Sequence, residues 1–309
     1  MTYSQGLVSI GVPTYNRPLK LRCALESLLG QTYKNIELII SDNSSTTYET
    51  ECIAREFAGR DSRVRYIRQQ MNIGAFSNFS YLLKQSTGDY FMWAADDDKW
   101  EPWFIEKCVS TLIRYPDVAA AMTEVQYFGV DGLYPFFPEG KAFYRNSTRS
   151  KISMLKYVLD NNYGNLIYSV FRYSSLMVEG RFFWEEAGNL SSNEIPALLY
   201  AALRGGFVVL PEVGFYKEVP VSVYKQAKWE MVGGRMPLEC RITGLNSACE
   251  TWTYHQKAFK DIHSAIWRLP TEEWISHKVS RMAWWNLFKH FFWMLIGWKP
   301  LSRRGSLSG

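Results

Sequence analysis

The chain has 309 residues, of which 47% are hydrophobic and 21% are charged. This composition excludes a disordered chain, and the length suffices for one large domain or two smaller ones. The net charge of +5 permits anionic partners such as nucleotides or lipid headgroups, and we expect no nucleic acid partner. The five cysteines contain no C-x-x-C pair, which argues against a disulfide framework or a zinc cluster. Because the first residues also lack a signal-peptide pattern, we predict a cytoplasmic protein.

The first half of the chain alternates strand and helix patterns. Short apolar runs predict strands, and apolar residues at helical spacing predict the helices between them. In chain order, the pattern predicts strand 7–12, helix 19–29, strand 36–40, helix 48–57, strand 64–67, helix 76–83, strand 90–95 and helix 103–115. This α/β order predicts a mostly parallel sheet with helices on both faces, and such sheets bind ligands beyond the carboxyl ends of their strands.

The second half of the chain is less regular. The pattern predicts strand 118–128, a loop over 130–150, helix 151–159, strand 168–172, helix 194–204 and strand 207–210. Beyond about residue 223 the sequence becomes helical and rich in aromatic residues. We therefore predict two regions, residues 1–222 and residues 223–309.

Polar or conformationally special residues follow four of the predicted strands. One such loop is typical of ordinary turns, whereas four at one edge of a parallel sheet indicate a ligand site. The residues are Pro13, Thr14, Tyr15, Asn16 and Arg17 after the first strand, Asp42 after the second, Asn72 and Gly74 after the third, and Asp96, Asp97 and Asp98 after the fourth.

The aspartate triplet at residues 96–98 is the most specific of these signals. Three adjacent carboxylates repel one another, so a fold that concentrates them needs a compensating cation. A divalent ion such as Mg²⁺ is typically held by one or two carboxylates together with substrate phosphates. The alternative is a solvated acidic turn at the N-terminal end of the helix predicted from Trp103.

The loops after the second and third strands fit a nucleotide. Asp42 ends a buried strand, where a carboxylate can accept hydrogen bonds from a ribose or from base N–H groups. Asn72 and Gly74 would let a loop approach the nucleotide closely. All three residues are also common in simple turns, and that alternative stays open.

Taken together, the segments VSIGVPTYNRP, IELIISDNSS, NIGAFSNFS and GDYFMWAADDD resemble the inverting glycosyltransferases of family 2. The resemblance is dense over about residues 7–105 and thin afterwards. It implies a GT-A fold, a nucleoside-diphosphate sugar donor and a divalent metal, Mg²⁺ or Mn²⁺. It also suggests a role in assembling bacterial cell-surface polysaccharide such as O-antigen, with a glycan or lipid-linked acceptor.

The resemblance also implies roles on the donor side of the site. The segment 13–16 would line the nucleotide, and Asp42 would contact the base or ribose. Asp96, and less firmly Asp97, would lie near the ribose or the donor sugar. Arg17 would contact phosphate, although a plain surface arginine fits its position equally well.

The metal and the general base are implied in the same way. Asp98 would bind the metal on the diphosphate. In this family the base lies in an acidic pair that opens a helix about a hundred residues after the aspartate motif, and Glu194 matches that place. The pair here is Asn193-Glu194, so Glu185 and Glu186 remain rivals. A carboxylate that opens a helix can also serve only to stabilise it, and that alternative stays open for Glu194.

The C-terminal segment, residues 274–309, contains no Asp or Glu. Seven of the twelve tryptophans lie between Trp252 and Trp298. The apolar run Phe291–Trp298 is far shorter than the ~20 residues that span a bilayer. We predict an interfacial element on an anionic membrane, peripheral at the cytoplasmic face of the inner membrane. The alternative is an aromatic helix packed on the catalytic domain.

Two other functions compete with sugar transfer. A nucleotidyltransferase on a similar sheet would favour a glycine-rich first loop, and PTYNRP contains no glycine. A non-catalytic nucleotide-sugar-binding protein would keep the donor site without using Glu194 as a base.

Overall fold

The computed structural model describes residues 6–134, 165–178, 181–182, 194–221, 234–235, 273–296 and 298–299, with single positions at 152, 155–156, 158, 225, 263, 266–267 and 271. The first half alternates strands and helices as predicted. Its elements are β1 (Val8–Thr14), α1 (Pro18–Leu29), β2 (Ile36–Asp42), α2 (Tyr48–Arg60), β3 (Val64–Arg68), α3 (Ala75–Lys84), β4 (Tyr90–Trp93), β5 (Lys99–Trp100) and α4 (Phe104–Arg114).

The second half adds longer strands and a late helix. Its elements are β6 (Ala120–Gly129), β7 (Gly132–Leu133), β8 (Val170–Arg172), β9 (Met177–Val178), β10 (Arg181–Phe182), α5 (Ile195–Arg204), β11 (Phe207–Glu218), β12 (Gly234–Arg235), α6 (Glu273–Ile296) and β13 (Trp298–Lys299). Short 3₁₀ turns flank β8 at Leu166–Tyr168 and Tyr173–Leu176. The predicted loop over 130–150 is described only to residue 134, where a short hairpin forms.

One mixed sheet of nine strands organises the described chain, in the order β3-β2-β1-β4-β8-β6-β11-β5, with β7 beside β6. The pairs among β1 to β4 and the pair β6–β11 are parallel, whereas β5, β7 and β8 run antiparallel to their neighbours. This arrangement confirms the predicted α/β class. In the parallel part, runs such as Leu38–Ile40 are fully buried, as expected for strands covered on both faces.

Strand β11 is longer than predicted. The apolar run suggests an end at Leu210, because Pro211 and Gly214 are poor strand residues. Two register shifts, between Leu210 and Val213 and between Val213 and Phe215, absorb these residues, so that pairing with β6 continues to Glu218. The extra length brings the end of β11 to the same edge as the ends of β1 and β2.

Helix α6 carries the basic and aromatic part of the C-terminal segment. Ile275, Val279 and Ala283 are buried on one side of it, while Trp284 and Trp285 are more than half exposed. In the described part of the chain, no helix combines the length and apolar character needed to cross a membrane. The division at residue 222 stays a prediction.

Candidate functional site

A cleft of about 430 Å³ opens where β1, β2, β4 and β11 end. The strands β1, β2 and β4 are parallel neighbours, so the loops after them meet at one edge of the sheet. The sequence-predicted residues that line the cleft are Pro13, Thr14, Tyr15, Arg17, Asp96, Asp97 and Asp98. The sequence predicted a ligand site at this edge of the sheet, and the structure has a cleft there. Residues of the loops after β1 and β4 line this cleft together.

The first loop is held in a fixed shape by its own polar groups. Asn16 adopts a left-handed backbone with φ of 57°, a conformation that asparagine tolerates better than most residues. Its backbone N–H donates to Ser45 Oγ at 2.9 Å, and its side-chain Oδ1 accepts from the N–H of Thr46 at 2.7 Å. Asn16 thus ties the loop after β1 to the loop after β2.

The three aspartates of the triplet differ in their hydrogen-bond partners. Asp96 accepts from Thr14 Oγ1 at 2.7 Å and from Arg17 Nη1 at 3.2 Å, while Asp97 accepts from the same Arg17 nitrogen at 2.6 Å. Burial raises the pKa of Asp96 to about 6, although Thr14 and Arg17 oppose the rise. Arg17 is half exposed and lines the cleft.

Asp98 is the carboxylate best suited to a metal. It is 1% exposed, its Oδ1 accepts from the backbone N–H of Glu218 at 2.9 Å, and its Oδ2 is buried with no hydrogen-bond partner among the described residues. Burial raises the pKa of Asp98 to about 8, with Lys217 opposing the rise. An unpartnered hard oxygen of this kind fits Mg²⁺ or Mn²⁺, whose remaining ligands would be phosphate and water.

The protein alone does not build a complete metal cage in the part of the chain that is described. There, no three His, Cys, Asp or Glu side chains are grouped to hold an ion. The expectation that a substrate diphosphate would complete the coordination of an ion on Asp98 stays a prediction.

Asp42 is fully buried at the end of β2, and its oxygens bind protein groups. Oδ1 accepts from the N–H of Ser45 at 2.8 Å, and Oδ2 accepts from Tyr66 Oη at 3.0 Å and from Arg68 Nη1 at 3.1 Å. The residue of this loop that lines the cleft is the neighbouring Asn43. The contact of Asp42 with a base or ribose stays a prediction. Because both of its carboxylate oxygens already accept hydrogen bonds from the protein, Asp42 would have to accept a further hydrogen bond to make this contact.

Asn72 and Gly74 shape the loop after β3. Asn72 Oδ1 accepts from Asn43 Nδ2 and from the Gly74 N–H, each at 2.9 Å. Gly74 has φ of 83°, a left-handed conformation that favours glycine, and it precedes α3. Within the described chain, the residues of this segment that line the cleft are Ala75, Asn78 and Phe79. Asn72 therefore positions the side chain of Asn43, which lines the cleft.

Glu194 directly precedes α5 and is partly buried. Tyr168 lines the cleft, and burial raises its pKa well above the usual value. The negative charges of Asp98, Glu194, Asp97 and Asp96 add to this rise. The Glu194 carboxylate therefore lies within electrostatic range of a cleft residue. Asn193, Glu185 and Glu186 lie outside the described residues.

Tyr168, Lys217 and Glu218 line the cleft from parts of the chain where the sequence analysis predicted no site. Tyr168 lies in a 3₁₀ turn before β8, which has no clear sequence signal. Lys217 and Glu218 end β11 and follow the same strand-end rule as the other loops. They were missed because the apolar pattern breaks off at Leu210.

Fold and cleft together define a protein of the GT-A class, with a mixed α/β sheet and an acidic cleft at the carboxyl ends of its parallel strands. The family model for glycosyl transferase family 2 matches residues 9–175. This chain belongs to that family.

Curated relatives match over part of the chain. A glycosyltransferase of Rickettsia bellii is 39% identical over 107 residues, which are 34% of this chain and 15% of that protein. The putative colanic acid biosynthesis glycosyl transferase WcaA of Escherichia coli is 36% identical over 96 residues, which are 31% of this chain and 34% of that protein. The chain therefore spans about a third or less of the length of these relatives.

Solved structures share the fold at low identity. Residues 1–349 of Staphylococcus aureus TarS, in complex with UDP-GlcNAc, superpose with a TM-score of 0.61 at 14% identity, over 91% of this chain and 72% of that one. The mannosyltransferase PcManGT of Pyrobaculum calidifontis, in complex with GDP-Man and Mn²⁺, gives a TM-score of 0.51 at 15% identity, over 96% and 85%. At these identities the likeness shows the fold alone.

Proposed function

We propose that the chain transfers a sugar from a nucleoside-diphosphate sugar to an acceptor hydroxyl, with inversion at the anomeric carbon and with a divalent metal on the diphosphate. The observation that carries the proposal is the shared cleft of the first loop and the aspartate triplet, in which Asp98 keeps a buried oxygen without a partner among the described residues. The complexes of TarS with UDP-GlcNAc and of PcManGT with GDP-Man and Mn²⁺ support a donor and a metal of this kind.

The donor would occupy the cleft with its nucleotide against the segment 13–17. Asp42, Asn72 and Gly74 would contact the base and ribose or hold the loops that do so. Asp96 and Asp97 would lie near the ribose and donor sugar. The bonds of Asn16 to the loop after β2 support this arrangement, because they fix the cleft wall before a ligand arrives.

Asp98 would hold Mg²⁺ or Mn²⁺. When bound, the ion supplies positive charge to a leaving diphosphate. The protein fixes the Asp98 carboxylate for this purpose through the Glu218 N–H and keeps it out of water, which strengthens its interaction with a cation.

Glu194 would act as the general base and remove the proton of the acceptor hydroxyl as the oxygen attacks the anomeric carbon. Its electrostatic coupling to Tyr168 supports a place beside the cleft. Glu185 and Glu186 remain rivals for this role. The nucleotidyltransferase alternative loses its support with the family match, whereas the non-catalytic alternative requires an assay.

The test is release of nucleoside diphosphate from UDP-sugars and GDP-sugars by wild type and by Glu194→Gln. We expect the variant to keep its affinity for the donor and to lose at least about a hundredfold in turnover, the size of a general-base contribution. The matched control is Glu212→Gln, a carboxylate on β11 that pairs with Lys107 outside the cleft. Unchanged turnover in Glu194→Gln would refute this base, and donor binding without turnover in wild type would favour the non-catalytic alternative.

We also propose that the acceptor is a lipid-linked or growing cell-surface glycan, met at the cytoplasmic face of the inner membrane. The name of WcaA supports the glycan. Helix α6 supports the membrane, because Trp284, Trp285 and Phe288 are 53%, 54% and 46% exposed and Lys278 and Arg281 are exposed one to two turns earlier. Exposed Trp beside basic residues is typical of a helix at an anionic lipid surface.

Co-sedimentation with vesicles tests the membrane contact. We expect wild type to bind vesicles of phosphatidylglycerol and phosphatidylcholine better than vesicles of phosphatidylcholine alone. The variant Trp284→Ser/Trp285→Ser should bind about tenfold more weakly, whereas Tyr48→Ser, which removes an exposed aromatic from α2, should bind like wild type. Equal binding by all three proteins would contradict the proposal.

A further inference from the structure

Lys217 brings a positive charge into the cleft from the end of β11. It lies next to Glu218, whose backbone N–H binds Asp98. Its ammonium is 5.0 Å from the centre of the Tyr168 ring, and its charge opposes the rise that burial causes in the pKa of Asp98. Lys217 therefore stands beside the carboxylate to which the metal is assigned.

A chain of buried polar groups orients the Lys217 ammonium. Lys217 Nζ donates to Asn165 Oδ1 at 2.9 Å, and Asn165 Nδ2 donates to Tyr127 Oη at 2.7 Å. Asn165 is 0% exposed and Tyr127 is 5% exposed. Asn165 thus binds the ammonium directly and Tyr127 holds Asn165 in place, an arrangement that a solvated surface lysine does not need.

Arg17, the other described cation that lines the cleft, is engaged differently. Its guanidinium binds the carboxylates of Asp96 and Asp97, and half of its side chain is exposed. Lys217 instead has a neutral amide, Asn165, as an identified hydrogen-bond partner. Lys217 is thus held by a buried amide beside Asp98, whereas Arg17 is held by two carboxylates of the aspartate triplet.

We propose that Lys217 binds the diphosphate of the donor as a second cationic group beside the metal on Asp98. The inference rests on the proposed function. As the acceptor oxygen bonds to the anomeric carbon, the bond from that carbon to the phosphate oxygen breaks and its electron pair stays on the diphosphate. The acceptor proton goes to the general base, and Lys217 transfers no proton. Its ammonium stabilises the added charge, and Asn165 is a positioning residue.

Calorimetric titration of UDP and GDP, each with Mn²⁺, tests the inference without turnover. UMP and GMP, which lack the second phosphate, are the comparison ligands. We expect Lys217→Met to weaken the diphosphate that wild type binds by at least about tenfold and the matching monophosphate by less than about threefold. Lys107→Met, which removes a lysine charge from α4 outside the cleft, should bind like wild type.

Two further variants separate contact from folding. Lys217→Arg should recover part of the lost diphosphate affinity, and Asn165→Ala should lose less than Lys217→Met because it leaves the positive charge in the cleft. Equal losses for diphosphate and monophosphate, or wild-type diphosphate affinity in Lys217→Met, would overturn the inference while leaving the proposed function intact. If wild type binds neither UDP nor GDP, the proposed function itself fails.

Discussion

Strand β2 ends in a buried aspartate and the loop after β4 carries another at the same edge of the sheet, yet the two carboxylates differ in their hydrogen-bond partners. Asp42 accepts hydrogen bonds from Ser45, Tyr66 and Arg68. Asp98 accepts one from Glu218, and its second oxygen has no partner within the described chain. Burial of a carboxylate is costly unless it is paired. The first aspartate therefore supports the loops, and we propose that the second is kept for a ligand.

The largest effect on stability is expected at Asp42. Replacing it with alanine removes three hydrogen bonds and leaves Arg68 and Tyr66 without their shared acceptor. Because Arg68 is partly exposed, the free energy of unfolding should fall by about 2–3 kcal/mol, the lower end of the effect expected for a broken buried pair. Urea unfolding of wild type and Asp42→Ala measures it.

The control for this prediction is Asp61→Ala. Asp61 also pairs with an arginine, Arg63, at 2.7 Å, but both side chains are about a quarter exposed. A pair nearer the surface should contribute about 1 kcal/mol or less. If both variants lose the same stability, the buried network around Asp42 is not the support described here.

The smallest effect on stability is expected at Asp98. In Asp98→Asn the amide oxygen can still accept from the Glu218 N–H, and the free-energy cost that burial imposes on an ionisable carboxyl disappears. The melting temperature should stay unchanged or rise, as is common where a functional site is kept at the expense of stability. A fall as large as that of Asp42→Ala would mean that Asp98 is a structural residue like Asp42.

The same contrast shows what the sequence could predict. The strand ends, and hence the cleft walls at 13–17 and 96–98, follow from apolar runs that stop at polar residues. The partners of Asp42 could not be predicted, because Arg68 meets it only when β2 and β3 pair in register. The position of Lys217 at a strand end could not be predicted, because Pro211 and Gly214 break the apolar pattern although the bulged strand continues past them. Glu194 came from the family resemblance alone.

The central claim is that Asp98 is kept for a metal that a nucleoside diphosphate shares. The most direct measurement is calorimetric titration of UDP and GDP into wild type and Asp98→Asn, with Mn²⁺ and with a chelator in its place. We predict that Mn²⁺ strengthens binding of the preferred nucleotide to wild type by at least about tenfold, and that Asp98→Asn loses this gain while it remains folded. The same Mn²⁺ gain in both proteins, or none in wild type, would contradict the account.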